Sequence, residues 1–234
     1  MTGIDERSFL SPVEAAEWSK QVVDLSSYWL CRAKGVDFYT LGAAHYLDLE
    51  PYQSFDHYQA LLRRSNPLLW KNFEPLYRHL LEFCSNQFEH PFAYHKELAL
   101  PGFHIFGPKP KSPHKFFNSV YFSRGGSIHA HPIPRLLPSL LGMSKQELAS
   151  SLYSLTIPLS LPASGGGLNV WNDSCKDTKS SFYPYQLGYM YGFEGSLKHQ
   201  IAPVSLHDMD SVDSRRITMQ CHLIDIDHVS YLFF

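Results

Sequence analysis

The sequence predicts an α+β fold in which N-terminal helices pack on a double-stranded β-helix, a jelly-roll core of the cupin-like kind. Two observations predict it: helical periodicity in the first part of the chain, and a series of short strand patterns after residue 98, separated by Gly, Pro, Ser and Asn clusters. The length of 234 residues suits one structural unit. Within it we expect a helical region at residues 1–98 packed on a β core at residues 99–234.

Residues 12–34 and 54–88 carry apolar side chains at helical spacing. The letters SPVE at 11–14 combine an N-cap residue, a Pro at the first helical position and an acid in the first turn, which predicts a helix start. In the second segment Pro67 and Pro75 predict joins between two or three helices. Such a helical region can cover one sheet or form a homodimer interface, and both alternatives stay open.

The rest of the chain predicts strands and one short helix. The predicted strands are residues 102–107, 117–123, 126–131, 153–161, 167–171, 187–193, 196–201, 216–224 and 229–233. A helix is predicted at 144–151. The runs at 163–167 and 205–214 predict loops, because they consist largely of Gly, Ser and Asp.

Charge and composition exclude several function classes. The net charge is -2 and no stretch concentrates Lys and Arg, so we expect no nucleic-acid partner. No run reaches ~18 apolar residues and the first ten lack a secretion signal, so we expect a cytoplasmic protein with no membrane partner. The four cysteines form no CxxC pair, which predicts reduced thiols.

Three histidines have the spacing of a metal site. His129 and His131 lie two residues apart at a predicted strand end, so both side chains leave the same face of the strand. His199 lies on a later strand, and early and late strands pair across a barrel of this kind. The three can therefore converge on one ion and leave adjacent positions open, as oxygen-activating iron requires.

These histidines stand in an ordered set of segments, LPGFHIF, GGGLNVW, YGFEGSLKHQIAP and RRITMQCH. The set resembles the 2-oxoglutarate and Fe(II)-dependent oxygenase superfamily over roughly residues 100–234. The resemblance implies that Fe(II) and 2-oxoglutarate are the cofactors, with His129 and His199 as the proximal and distal iron ligands. It also implies that Arg216 and Thr218 bind the far carboxylate of 2-oxoglutarate, which suits an Arg because its guanidinium pairs bidentately with carboxylates.

One position departs from the family pattern, because His131 stands where the family has Asp or Glu. A neutral imidazole in place of a carboxylate raises the charge of the metal site by one. Three alternatives stay open. His131 ligates and makes a three-histidine iron centre, or it turns away and leaves a position for water or halide, or iron binding is lost. The last alternative would make the protein a catalytically inactive barrel used for binding.

The resemblance implies a biosynthetic oxidoreductase in which O2 oxidatively decarboxylates 2-oxoglutarate to succinate, and a hydrogen atom is then abstracted from a small-molecule or peptide-borne substrate. Hydroxylation, desaturation, cyclisation and halogenation are all open outcomes. We expect Tyr121 beside the cofactors and Asn169 and Trp171 in the substrate pocket. The alternative enzyme class is a cupin-like three-histidine iron dioxygenase that acts without 2-oxoglutarate, which the Arg216 and Thr218 pair disfavours. We expect the other histidines to be solvated or hydrogen-bonded core residues.

Overall fold

The structure, a computed structural model, describes residues 3–33, 36–49, 53–110, 125–130, 133–171, 180–204 and 215–234. The predicted fold class is confirmed, because helices pack on one face of a large, mainly antiparallel sheet and a small sheet lies across its other face, as in a jelly roll. No helix in these ranges is long and apolar enough to cross a membrane.

The strands form two sheets. Their bounds are β1 (Ile4–Ser8), β2 (Leu30–Ala33), β3 (Val36–Leu41), β4 (Phe92–Tyr94), β5 (Gly102–Phe106), β6 (Tyr153–Ser160), β7 (Leu168–Trp171), β8 (Ser181–Tyr183), β9 (Tyr189–Glu194), β10 (Lys198–Ile201), β11 (Arg216–Ile226) and β12 (Val229–Phe233). The large sheet has the order β1-β9-β6-β11-β5-β3-β2, and β12 joins β4 to the second half of β11. The small sheet has the order β10-β7-β8.

The helices are α1 (Pro12–Asp24), α2 (His45–Asp48), α3 (Phe55–Phe88), α4 (Leu137–Leu141) and α5 (Lys145–Ser151), with a 3-10 turn at Ser26–Tyr28. The predicted start of α1 is confirmed. The hydroxyl of Ser11 accepts from the Glu14 N–H at 3.3 Å, and the Glu14 carboxylate accepts from the Ser11 N–H at 2.8 Å. This reciprocal capping box satisfies two backbone donors that a helix start leaves without intrahelical partners.

Helix α3 continues through both Pro67 and Pro75. In place of the joins predicted at the two prolines, the helix has a single bend. Phe73 has φ of -126° and is the residue with non-helical dihedral angles inside α3. It lies two residues before Pro75, whose ring removes an N–H and clashes with the preceding turn. Pro67 is accommodated without such a break.

The two faces of the large sheet differ in chemistry, as the alternation along β11 shows. Its outer-face residues are Ile217, Met219 and Cys221, and its inner-face residues are Arg216, Thr218, Gln220 and His222. The outer face packs against α1 and α3 in the main apolar core. The inner face is buried but polar, which is unfavourable unless hydrogen bonds or a ligand compensate. A ligand site is therefore expected on the inner face.

Several predicted elements need correction. The helix predicted over 12–34 ends at Asp24, and residues 30–33 form an edge strand instead. The strand predicted at 126–131 is wrong in its described part, where a single β-bridge at His129 replaces a continuous strand. The strand predicted at 117–123 and the loop at 205–214 lie outside the described residues. Strands β1 to β4 were not predicted, because they are only three to six residues long and β1, β3 and β4 pair with residues far away in the sequence.

Candidate active site

A cavity of about 390 Å³ lies between the inner face of the large sheet and the small sheet. Its volume is at the low end of the range of about 300–1,000 Å³ that small-molecule sites occupy. Arg216 and His104 line it from the large sheet, and His199 and Ile201 line it from the small sheet. The cavity also reaches His129 in the segment 125–130.

His129 and His199 are brought together at this cavity. They are partners in an isolated antiparallel bridge, in which the His129 N–H donates to the His199 carbonyl at 3.0 Å and the His199 N–H donates to the His129 carbonyl at 2.8 Å. Their ring centroids are 4.5 Å apart with an interplanar angle of 55°. The backbone pairing thus holds two imidazoles side by side although 69 residues separate them in the sequence.

Each ring of this pair is oriented by its own backbone. His129 Nδ1 lies 2.8 Å from the Ser127 carbonyl, and His199 Nδ1 lies 2.8 Å from the Leu197 carbonyl. A carbonyl oxygen only accepts, so each Nδ1 carries the hydrogen and each neutral ring has its lone pair on Nε2. Metal-binding histidines are oriented in the same way, because the second ring nitrogen donates to a carbonyl or carboxylate.

The electrostatics of the pair favour neutral imidazole at His199. Burial, with the neighbouring His129 as the next contribution, lowers the pKa of His199 to about 4. The ring is 4% exposed, whereas His129 is exposed. A neutral imidazole is the form that binds metal, because protonation occupies the lone pair.

The third predicted ligand, His131, and the predicted cofactor residue Tyr121 lie outside the described residues. Within the described ranges, no group of three His, Cys, Asp or Glu side chains is placed to hold a metal ion. The described part of the site therefore supplies two imidazoles. These fit two of the three protein positions of a facial iron site.

Arg216 forms the other polar end of the cavity. Its Nε donates to the Gly166 carbonyl at 2.8 Å, and its Nη1 donates to the Thr218 hydroxyl at 3.4 Å. The guanidinium carbon lies 5.6 Å from the ring centroids of both Phe106 and Tyr185, within range of cation–π attraction. Gly166 has φ of +70°, a left-handed conformation that glycine adopts readily and that directs its carbonyl at Arg216. The guanidinium is therefore held in one orientation.

Thr218 lies where alternation predicted, on the same strand face as Arg216, and it is fully buried. Asn169 and Trp171 lie on the opposite face of β7 from Leu168, which lines the cavity. Neither of the two is among the described lining residues. The Asn169 side chain instead donates to the Gln200 side chain at 3.4 Å.

Several lining residues were missed by the sequence reasoning. His104, Tyr46 and Tyr185 line the cavity, and so do Thr156 and Gln220 on the inner face of the large sheet. His104 was expected to be an ordinary solvated or core histidine. The sequence signal for His104 was its position in the strand segment LPGFHIF, two residues before Phe106. In the structure this strand pairs Phe106 with Arg216 and His104 with Thr218. Tyr46 lies in a single helical turn without such a signal.

Comparisons with solved structures identify relatives of the same fold. An N-substituted L-amino acid dioxygenase from Burkholderia ambifaria AMMD matches with a TM-score of 0.54 and 11% identity, over 99% of this chain and 86% of that chain. Its complex with alpha-KG matches with a TM-score of 0.52 and 11% identity over the same shares. SnoN, a non-heme alpha ketoglutarate dependent epimerase from nogalamycin biosynthesis, matches with a TM-score of 0.50 and 10% identity, over 96% of this chain and 81% of that chain.

No protein-family model and no curated protein matches the sequence. At 10–11% identity the solved structures establish a shared architecture along nearly the whole chain. The protein therefore has the jelly-roll fold that these solved structures share.

Proposed function

We propose that this protein is a non-haem iron oxygenase that consumes O2 and 2-oxoglutarate. In this proposal His129, His131 and His199 hold Fe(II), and Arg216 with Thr218 binds the far carboxylate of 2-oxoglutarate. The observation that carries the proposal is the His129 and His199 pair, with rings 4.5 Å apart in the same cavity as a buried arginine. The shared fold supports the same reaction class.

The donor set suits iron better than the common structural metals. Two imidazoles without a described cysteine partner argue against a zinc-thiolate site, and an all-oxygen cation such as Ca²⁺ does not select imidazole. With a third imidazole from His131 the centre would carry one more positive charge than a site with two histidines and a carboxylate. A more positive centre binds an anionic keto acid more strongly.

Bound iron would supply the coupling of O2 reduction to oxidation of the keto acid and of a C–H bond, and the protein supplies binding and orientation. Backbone carbonyls fix both imidazole rings, so each presents Nε2 without reorganisation. Arg216 offers a fixed cation with a hydroxyl beside it, which matches a carboxylate by charge and by hydrogen bonding. The Phe193 ring packs against the His199 ring with 5.0 Å between the ring centroids, and it shields His199 from water on that side.

Measurements of metal binding and keto-acid binding to the purified 234-residue chain test the proposal. We expect one Fe(II) per chain under anaerobic conditions, and 2-oxoglutarate binding that strengthens when iron is present. His199→Ala should lower iron affinity by at least about tenfold, since changes even beside a metal ligand cost about 10–100-fold. His57→Ala is the matched control, because His57 is exposed and is not among the cavity-lining residues described.

Three results separate the alternatives. Tight iron binding without any effect of 2-oxoglutarate would favour a three-histidine dioxygenase that works without a keto acid. Absence of iron binding in the folded wild-type chain would favour a binding barrel. Equal iron affinity in His199→Ala and His57→Ala would contradict the assignment of His199.

A further inference from the structure

One side of the cavity is aromatic and is separate from the histidine pair. We call it the aromatic wall and define it as Phe38, Tyr46, Leu47, His104 and Phe106, all of which line the cavity. These residues come from β3, β5 and α2, elements that carry none of the proposed cofactor ligands. The wall adjoins the keto-acid end, where Phe106 lies 5.6 Å from the Arg216 guanidinium, so it can bind a second molecule beside the keto acid.

Phe38 and Phe106 give the wall a rigid apolar surface. They are cross-strand partners, and their rings stack with centroids 4.5 Å apart and an interplanar angle of 4°. The strand pairing and the stacking contact hold the two rings parallel to each other. A planar apolar ring gains more binding free energy from such a rigid surface than a flexible chain does. A contact between two aromatic rings contributes about 0.5–1.5 kcal/mol beyond the term for buried area.

The wall also has one polar element, a hydrogen bond of 2.5 Å between the Tyr46 hydroxyl and His104 Nε2. The His104 ring contacts the edge of Phe38 at 5.3 Å between centroids. Burial, with the charges of Arg216 and Arg32 as further causes, holds the pKa of His104 well below its usual value. The pair is therefore uncharged, and a neutral imidazole that uses one nitrogen toward Tyr46 has its second nitrogen for another partner.

The charges of the lining residues further limit the class of ligand that the cavity can bind. Among the described lining residues the permanently charged group is Arg216, and no carboxylate is present. An ammonium group buried here would have no anionic partner in the described lining, and burial of an unpaired charge is unfavourable. An uncharged ligand avoids this penalty.

We propose that the aromatic wall is the substrate-binding surface, and that the substrate is an uncharged small molecule with a planar apolar ring system and one hydroxyl or carbonyl group that hydrogen bonds to the His104 and Tyr46 pair. The assignment of this wall to substrate rests on the proposed function, in which Arg216 is occupied by 2-oxoglutarate. The cavity volume of about 390 Å³, shared with the keto acid, limits the substrate to a small ring system.

Three probes of one shape test this proposal by equilibrium dialysis against the full chain: 2-naphthol, naphthalene and 2-naphthylmethylammonium. We expect 2-naphthol to bind at least about fivefold tighter than naphthalene, from one net hydrogen bond. We expect the ammonium probe to bind at least about tenfold weaker than 2-naphthol. Equal or tighter binding of the ammonium probe would overturn the proposal.

Variants locate the binding. Phe38→Ala should weaken 2-naphthol by about tenfold, and Phe38→Leu, which keeps a large side chain without the ring stack, should weaken it by about threefold. Tyr46→Phe should remove the preference for 2-naphthol over naphthalene. Phe182→Ala is the matched control, because Phe182 is 53% exposed and is not among the cavity-lining residues described. Unchanged 2-naphthol affinity in folded Phe38→Leu would overturn the proposal.

The 2-oxoglutarate affinity of the same proteins separates this proposal from the proposed function. If Phe38→Ala keeps its 2-oxoglutarate affinity within about twofold and loses 2-naphthol, the wall binds the second molecule, as we propose. A second outcome is that 2-oxoglutarate binds, but the affinity for 2-naphthol is the same in the wild type and in the Phe38 and Tyr46 variants. The substrate assignment then fails while the proposed function stands. If 2-naphthol depends on Phe38 but 2-oxoglutarate does not bind at all, the proposed function fails instead.

Discussion

His129 and His199 face each other as bridge partners, and reciprocal backbone hydrogen bonds of 3.0 and 2.8 Å bring their rings to 4.5 Å. The relationship depends on backbone pairing between the small sheet and the segment 125–130, so the side chains do not have to organise the site alone. A site held in this way is formed before any ligand arrives. Preorganisation of that kind reduces the free energy that a ligand must supply on binding.

Arg216 is predicted to set the affinity for 2-oxoglutarate. Arg216→Leu should weaken binding by about 100-fold, since a hydrogen bond to a charged group contributes about 1.5–3 kcal/mol. Arg216→Lys should keep part of the affinity, because an ammonium keeps the charge but loses the bidentate geometry. Anaerobic calorimetric titration measures both, with the exposed Arg78→Leu as the control. Equal affinities in Arg216→Leu and Arg78→Leu would contradict the role of Arg216.

His131 is predicted to be the third iron ligand. His131→Ala should lower Fe(II) affinity by at least about tenfold, and His131→Asp should retain it, because Asp restores the carboxylate of the related family pattern. Competition with a colorimetric chelator under anaerobic conditions gives the affinities. If His131→Ala binds iron as tightly as the wild type, His131 is not a ligand and the open position belongs to water or halide.

Gly102, in the large sheet, is predicted to be a position where any larger side chain lowers stability, because its surroundings leave no room for a Cβ. A Cβ at this position would lie 2.1 Å from Cδ1 of the buried Phe234 and 3.0 Å from the Leu41 carbonyl oxygen. Gly102→Ala should therefore lower the free energy of unfolding by about 1–3 kcal/mol, as overpacking of a core does. Gly3→Ala is the control, because nothing lies within 4 Å of a Cβ there. Urea unfolding measures both, and equal stabilities would contradict the packing described.

His45 is predicted to make stability depend on pH. Its ring is fully buried, neither nitrogen has a hydrogen-bond partner among the described residues, and burial lowers its pKa to about 4. The unfolded chain binds a proton near pH 6.5 and the folded chain does not, so the free energy of unfolding should fall as pH drops from about 6.5 toward 4, by up to about 3 kcal/mol. Burial also holds the pKa of the neighbouring His222 well below its usual value, which acts in the same direction.

Urea unfolding at pH 7.5, 6.5, 5.5 and 4.5 checks this dependence. His45→Phe removes the titrating group and keeps an aromatic ring, so its stability should fall less steeply over the same range. His57→Phe, at an exposed position, should follow the wild type. A His45→Phe curve that is parallel to the wild type would show that His45 does not carry the effect.

The sequence predicted the second half of the fold well, because its strands carry strong local alternation. The strands 153–161, 196–201 and 216–224 correspond to β6, β10 and β11 with small shifts at their ends. Strands β2 and β3 form a short, partly exposed hairpin that joins the large sheet through the pairing of β3 with β5, and pairing between distant residues is not visible in a local pattern.

The candidate site was predictable where spacing and strand alternation decide geometry. Arg216 and Thr218 share a strand face by the two-residue period alone. His104 and Tyr46 were not predictable, since their contact joins residues 58 apart across a single helical turn and a strand. Asn169 was expected in the pocket, whereas among the described residues of its strand Leu168, on the opposite face, lines the cavity.

Succinate release tests the central claim most directly. The purified chain is incubated with O2 and with Fe(II), 2-oxoglutarate, both or neither. Succinate is quantified for this wild type and for the His199→Ala, Arg216→Leu and His57→Ala variants. We predict succinate only when Fe(II) and 2-oxoglutarate are both present, in the wild type and His57→Ala, with loss in the other two variants. Absence of succinate from folded, iron-loaded wild type, or equal succinate from His199→Ala, would contradict the account.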